Sequence, residues 1–196
     1  NLVSSILVAS DPDSQQMGVL VMLNDEINAA AEVTKTHTLS LDTFKSLEFG
    51  PLGIVDQETV LYYRQPHYSK RTLTPNHIES SVEIIKTYSG SSSLLLNLLL
   101  DHGIKGIVIE ALGRGNIPPQ MVQGIERALA MNIPVVLTSR CPKGRVLDSY
   151  GYEGGGHHLK SLGVIFTKNL PSHKARIRLM LALGLTNDLN EISHMF

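Results

Sequence analysis

The apolar residues of this chain change their rhythm at about residue 82. Before that point they come in short, isolated runs. Leu2, Val3, Ile6, Leu7 and Val8 fall at helical spacing and predict an amphipathic helix over 2–10, which Asp11-Pro12-Asp13 ends, because proline disfavours helix at the residue before it. Gly18 to Leu23 is a continuous apolar run of strand length. Such a run suits a strand buried on both faces of a parallel sheet. Residues 24–50 read as a polar loop. Pro51–Asp56 and Thr59–Arg64 then read as two strands of a hairpin turning at Gln57-Glu58. Residues 65–80 contain two prolines and two histidines without periodicity, so a linker is expected over 66–80.

From Val82 onward, strand-length and helix-length segments alternate. Strands are expected at 82–88, 104–112, 133–139 and 164–167. Helices are expected at 92–102, 118–131, 157–162, 173–183 and 187–196, the last with an Asn or Asp cap. This alternation predicts an α/β domain with a parallel sheet covered on both faces. Ligands on such sheets bind beyond the C-terminal ends of the strands. Three polar or glycine-rich segments qualify: Asn24–Thr38, Gly113-Arg-Gly-Asn116, and Ser139-Arg140 leading to Gly154-Gly-Gly156.

Composition narrows the classes. The chain has 196 residues, 42% hydrophobic and 18% charged, as in ordinary globular proteins. A formal net charge of −1 supplies no field for nucleic acid, and no apolar run is long enough to span a membrane. A single cysteine, Cys141, excludes a disulfide framework and does not fix the compartment, which stays unassigned. Histidine and cysteine spacings match no structural metal site, so none is expected.

Chemistry is sought in the three segments. Lys35, between Thr34 and Thr36, is either a solvated loop lysine or, with its pKa lowered by its surroundings, a base toward a hydroxyl. The Gly113–Asn116 stretch lacks the third glycine of a dinucleotide fingerprint and reads as a tight turn presenting one amide. Arg140 either binds a carboxylate in bidentate fashion or forms a structural ion pair. Cys141 has no base paired with it and reads as a passive thiol. His157 and His158 are adjacent and point apart on a helix.

Several of these words occur together and in order. Gly18-Val-Leu-Val-Met-Leu-Asn-Asp-Glu-Ile27, Val33-Thr-Lys-Thr-His-Thr38, Phe44-Lys-Ser46 and Phe49-Gly-Pro-Leu-Gly53 are followed by Gly113-Arg-Gly-Asn-Ile-Pro-Pro119, Pro134–Arg140 and Lys174-Ala-Arg176. The series resembles bacterial L-asparaginases over nearly the whole chain. The resemblance implies the end of an N-terminal asparaginase domain over 1–65 and a flavodoxin-like C-terminal domain over 81–196. It further implies hydrolysis of L-asparagine, with L-glutamine a slower substrate, without a cofactor, in a homo-oligomer built as a dimer of dimers. Under it, Lys35 is a catalytic lysine working with a threonine nucleophile. Asn116 and Glu153 bind substrate, reaching the site of the neighbouring subunit. The family's Thr-Gly-Gly-Thr and Thr-Asp-Thr segments do not occur in these residues, so this polypeptide by itself is expected to be inactive. The stretch Tyr150–His158 also differs in length from the better-known members. Two other readings remain: an asparaginase-like subunit of a transfer-RNA amidotransferase, and a non-enzymatic flavodoxin-like binding domain.

Overall fold

The computed structural model describes residues 1–66 and 72–196. The chain forms two compact units, Asn1–Lys70 and Arg71–Phe196. Of the linker expected over 66–80, residues 67–71 lie outside the described residues, and 72–80 carry neither helix nor strand.

The first unit opens with helix α1 (Leu2–Ser10). Asp11, held extended before Pro12, ends it, and its carboxylate accepts the Asp13 N–H to cap a short 3-10 turn over Pro12–Ser14. Only Ser4 and Val8 of α1 are buried, while Leu2, Val3 and Ile6 are exposed. Six strands follow: β1 (Leu20–Leu23), β2 (Glu26–Ala29), β3 (Thr34–Lys35), β4 (Phe44–Lys45), β5 (Gly53–Asp56) and β6 (Thr59–Tyr62). Strands β1, β2, β5 and β6 form an antiparallel sheet in the order β1-β2-β5-β6.

This arrangement corrects two expectations. The apolar run ending at Leu23 is an antiparallel edge strand whose four residues are all half-buried, not a parallel strand buried on both faces. Residues 24–50 are not a plain loop, since they hold β2, β3 and β4. The cause is the Asn24-Asp25 pair. Both residues take positive φ, 52° and 59°, as a two-residue hairpin turn with the twist of its strands requires. The turn folds β2 back onto β1, pairing Leu23 with Glu26. It is tied to α1 by the Ser4 hydroxyl, which donates to Asp25 at 3.0 Å, and by the Asn24 N–H, which donates to the Asn1 amide oxygen at 2.8 Å.

The hairpin expected over 51–64 is present as β5 and β6, turning at Gln57 with φ 55°. Its close pairing depends on Gly53, where a Cβ would lie 2.1 Å from the Leu61 carbonyl oxygen. Just beyond β6, Arg64 pairs with Glu32, whose side chain is 6% exposed, through a 2.6 Å contact. The same guanidinium donates to the Gly50 carbonyl and lies 5.7 Å from the Phe49 ring centroid. One cation therefore secures the 49–50 bend.

The second unit is the parallel α/β domain that the alternation predicts. Strands β7 (Val82–Lys86), β8 (Gly106–Ala111), β9 (Val135–Ser139) and β10 (Ile165–Phe166) are parallel, in the order β10-β9-β8-β7. Helices α2 (Leu94–Asp101), α3 (Val122–Ala130), α4 (Gly156–Leu162), α5 (Ser172–Leu183) and α6 (Leu189–His194) cover the sheet. On one face Ile107, Ile109 and Leu137 pack with Leu96 and Leu100 of α2, Ile125 of α3 and Leu159 of α4. On the other, Val82, Val108 and Val136 pack with Leu179 of α5 and Ile192 of α6. Successive strand residues point to opposite faces, so β8 feeds both cores. The Asp188 side chain caps α6 by accepting the Glu191 N–H at 2.9 Å, as its residue type suggests.

Two stability predictions follow from the first unit. Gly53→Ala sets a Cβ against a backbone oxygen and costs about 2 kcal/mol or more. Gly50→Ala has open space and φ 72°, so it costs only about 1 kcal/mol for the left-handed backbone. Arg64→Met takes the Arg64 guanidinium away from the buried Glu32 carboxylate and costs about 3–5 kcal/mol. The double variant Arg64→Met/Glu32→Leu recovers part of that loss. Urea denaturation of each variant measures all four.

Candidate active site

The lysine singled out by sequence lies on a short hairpin. Strands β3 and β4 pair Thr34 with Lys45 and Lys35 with Phe44. Lys35 is exposed, and its ammonium lies 5.5 Å from the centroid of the Phe44 ring opposite it, within cation–π range. Beyond Lys35 the loop is closed by threonines. The Thr36 N–H and hydroxyl both donate to the Thr43 carbonyl, at 2.7 and 2.9 Å. Thr43, 4% exposed, accepts the His37 N–H at 2.9 Å and donates its hydroxyl to the His37 carbonyl. The His37 Nδ1 accepts the N–H groups of Leu39 and Ser40, both at 3.0 Å. This ring carries its proton on Nε2, because a protonated Nδ1 could not accept.

Lys45 sits on the same hairpin in a different setting. It pairs with Asp42 and, at 2.7 Å, with Glu26. The Asp42 carboxylate first, and Glu26 second, hold its ammonium above the ordinary lysine range. Lys45 is thereby committed to the charged form. Lys35 has no carboxylate beside it among the described residues. Sequence singled out Lys35 and missed Thr43, whose burial has no local signal.

Asn116 and Glu153 both belong to the second unit, and the fold brings them together. After β8, the chain turns through Gly113 (φ 49°) and Gly115 (φ 114°). Leu112 and Asn116 close that turn as a bridge, with the Leu112 N–H donating to the Asn116 carbonyl at 2.8 Å and the Asn116 N–H returning to Leu112 at 3.0 Å. The tight turn is as expected, but its amide is half-buried rather than exposed. The Asn116 Oδ1 is buried with no hydrogen-bond partner among the described residues.

The next residue fixes the second segment. The Ile117 N–H donates to the Gly154 carbonyl at 2.9 Å, which sets Glu153 beside the Asn116 turn. The approach is close enough that all three glycines are needed. A Cβ on Gly154 would lie 2.4 Å from the Ile117 oxygen, on Gly155 2.4 Å from the Tyr150 oxygen, and on Gly156 2.3 Å from the Leu147 oxygen. The Gly154 N–H donates to Nδ1 of His158 at 3.2 Å. Glu153 is exposed, next to the exposed Tyr150 and Tyr152, whose rings lie 5.8 Å apart. Upstream, Asp148 pairs with Lys160 at 2.6 Å, and that cation holds the Asp148 carboxyl below the ordinary range.

The other candidates are simpler. Arg140 and Cys141 are exposed, and Arg140 makes no ion pair among the described residues. The segment Asn24–Thr38 lies in an antiparallel unit, so the strand-end rule for parallel sheets does not apply to it. A cavity of about 360 Å³ in the first unit is lined by Val8, Asp11, Ser14, Leu20 and Met22 among others and includes none of the residues singled out by sequence. Among the described residues, no three His, Cys, Asp or Glu side chains gather closely enough to hold a metal, and no helix is long and apolar enough to cross a membrane.

Comparison with known proteins decides the family. Residues 81–196 match the family described as the glutaminase/asparaginase C-terminal domain, and residues 1–68 match the N-terminal asparaginase family. The chain belongs to the asparaginase/glutaminase family. It is 34% identical to an L-asparaginase of Bacillus licheniformis over 94% of this chain and 57% of that protein. It is 36% identical to a probable L-asparaginase of Deinococcus radiodurans, over 100% of this chain and 60% of that protein. A glutamyl-tRNA(Gln) amidotransferase subunit of Methanobrevibacter smithii is similar too, 32% identical over 100% of this chain and 46% of that protein. The chain thus spans about half the length of these asparaginase-family relatives.

The glycine triplet is open to a direct check. Gly154→Ala meets both a backbone oxygen and φ 81°, and it costs about 2 kcal/mol or more. Gly144→Ala, at φ 87° in open space, costs about 1 kcal/mol. In Gly154→Ala, amide exchange at Ile117 also rises, because the bond from its N–H is broken. Urea titration and hydrogen exchange report the two effects.

Proposed function

We propose that these residues belong to an enzyme hydrolysing the side-chain amide of L-asparagine to L-aspartate and ammonia. The observation that carries the reading is the Asn116 amide, whose buried oxygen meets no donor among the described residues. Leaving such an acceptor unpaired costs about 1–3 kcal/mol, and an N–H of a bound substrate recovers it. Glu153, fixed beside that turn through the bond between Ile117 and Gly154, offers a carboxylate to the substrate's α-ammonium group. Lys35 supplies the third element: a side chain on a laced hairpin, paired with no carboxylate among the described residues, that exchanges a proton with a hydroxyl nucleophile or with water. Following the resemblance, one subunit gives Lys35 with the threonine nucleophile, and its dimer mate gives Asn116 and Glu153. The assembly is a dimer of dimers.

The relatives named as glutamyl-tRNA(Gln) amidotransferase subunits support a second reading, in which glutamine is the amide donor and the product ammonia is passed on. Substrate preference separates the two.

The test fuses these 196 residues behind the N-terminal segments of the Bacillus licheniformis relative. Ammonia release from asparagine, exceeding that from glutamine in kcat/KM, supports the proposal, and the reverse order favours the amidotransferase reading. In the fusion, Lys35→Met lowers kcat by about 10²–10⁴-fold, and Glu153→Gln raises KM. Unchanged kcat in Lys35→Met sinks the assigned role.

A further inference from the structure

Lys35 stands on a very short ladder. Strands β3 and β4 have two residues each, and a pairing that short is marginal in water. Strand β4 is anchored by its own side chains. Lys45 pairs with Glu26 at 2.7 Å, and the Ser46 hydroxyl donates to the buried Asn28 at 2.7 Å. Strand β3 starts from the Val33 N–H, which donates to the Ala29 carbonyl at 2.9 Å, and then carries Lys35 to an exposed position. The Lys35 ammonium forms no ion pair among the described residues. The backbone beneath it therefore decides where it lies.

Thr43 supplies what the ladder lacks. The register that sets Thr34 against Lys45 and Lys35 against Phe44 runs on to Thr36 and Thr43, where the Thr36 N–H and hydroxyl both donate to the Thr43 carbonyl. The Thr43 hydroxyl then engages both backbone groups of His37. It accepts the N–H at 2.9 Å and donates to the carbonyl. In an antiparallel sheet a residue of the facing strand would exchange that pair of bonds; here a side chain does so. Thr43 is 4% exposed, so its loss leaves two polar groups of His37 without the partner they had, which is costly where water is excluded. The His37 ring in turn accepts the N–H groups of Leu39 and Ser40, each at 3.0 Å. Residue 37 is thus the point at which the loop is fastened to the hairpin.

We propose that Thr43 is a positioning residue for Lys35. Its hydroxyl locks His37 and so holds β3 in the register that keeps the Lys35 ammonium over the Phe44 ring, 5.5 Å from its centroid. Thr43 acts through the backbone of residues 36 and 37, not on the substrate. The inference rests on the proposed catalytic role of Lys35. Asn116 and Glu153, the residues proposed to bind substrate, belong to the other unit, so loss of the hydroxyl falls on kcat rather than on KM.

Two measurements test this, and one is independent of activity. In NMR spectra of the 196-residue chain, the Lys35 Hε protons are shifted upfield by the Phe44 ring, and the His37 amide exchanges slowly. Thr43→Val keeps the shape and removes the hydroxyl. It returns the Hε signals toward random-coil positions and speeds His37 exchange by about tenfold or more, whereas Thr43→Ser does neither. In the fusion with the N-terminal segments of the Bacillus licheniformis relative, Thr43→Val lowers kcat for asparagine by about 10–10²-fold, with KM unchanged within about twofold. Thr43→Ser restores kcat. The double variant Lys35→Met/Thr43→Val is no slower than Lys35→Met, because the two residues act as one unit. A threonine that only stabilises the fold would lower the melting temperature without these effects. Unmoved Lys35 and His37 signals in Thr43→Val overturn the inference whatever the activity does. So does an unchanged kcat, or a double variant slower than Lys35→Met by the full Thr43→Val factor. If Thr43→Val does not fold, Thr36→Val takes its place: it removes the hydroxyl of the exposed Thr36 that bonds the Thr43 carbonyl. It lowers kcat by about threefold or more, and an unchanged kcat there overturns the inference. A normal kcat in Lys35→Met is the distinct result that removes the role of Lys35 itself, and the inference with it.

Discussion

Burial of β8 on both faces is the constraint from which the second unit follows. Ile107, Val108 and Ile109 are fully buried, each contributing about 1.5–3 kcal/mol relative to exposure. Gly106 admits Leu179, Leu183 and Val82 so closely that a Cβ would lie 2.9 Å from Leu179. The enclosed stretch Ile107–Ile109 has no room for reactive groups, and the carboxylate of Glu110, just past it, is held by Lys86 and Ser172. Polar side chains within the sheet satisfy the backbone instead: the Thr138 hydroxyl donates to the Ile109 carbonyl at 3.0 Å, and the Thr87 hydroxyl to the Glu110 carbonyl at 2.7 Å. Chemistry is displaced to the loops past Ala111 and Ser139. Among the described strands the order does not reverse, so no crevice opens at a switch point. The loops themselves must build any site, and they do so by bonding to each other.

The first unit reaches precision by another route. Its sheet is small, its first strand is half-buried, and its apolar clusters are modest. Polar groups take over the work of fixing positions. The buried Asn28 accepts the Ser46 hydroxyl at 2.7 Å, Glu32 holds Arg64, and Thr43 closes the loop beside Lys35. Buried polar pairs of this kind order a segment more tightly than its apolar area would, although Asn28 Nδ2 and Arg64 Nε have no hydrogen-bond partner among the described residues. They also explain why two lysines on one hairpin differ. Carboxylates flank Lys45 and keep it charged, whereas Lys35 lies over the Phe44 ring and pairs with no carboxylate among the described residues.

Much of the second unit was legible because one periodicity maps onto one environment there. Runs such as Ile107–Ile109 signal burial, helical spacing signals a covering helix, and Asp188 signals a helix start. The first unit defeated the same reasoning at identifiable points. A continuous apolar run such as Val19–Leu23 fits an antiparallel edge as well as a parallel core, since periodicity does not report neighbours. Strand β2 was hidden because it buries Asn28 and Ala29, neither of which reads as a strand core. Strands β3 and β4, two residues each, are too short to show a period. At the candidate site, Lys35 and Asn116 stood out by the words around them. Their supports did not, because Thr43 and Gly154 act on backbone groups distant in sequence.

The glycines link the two levels most directly. At Gly154, Gly155 and Gly156 a single added carbon would collide with a carbonyl oxygen each time. These residues therefore do more than permit a bend. Gly155 and Gly156 let their own loop fold close on Tyr150 and Leu147, and Gly154 lets it lie against the Ile117 segment with no side chain between, so that a backbone hydrogen bond joins Ile117 to Gly154. That bond holds the loop carrying Glu153 beside the Asn116 turn without placing any bulk in the space between. A side-chain contact could hold the same loops, but it would fill the site it was meant to position. The Asn116 oxygen has no hydrogen-bond partner among the described residues, in a turn whose backbone is held by bonds on both sides. The fold thus sets an acceptor that is unmet among the described residues on a turn joined by a backbone bond to the loop that carries Glu153.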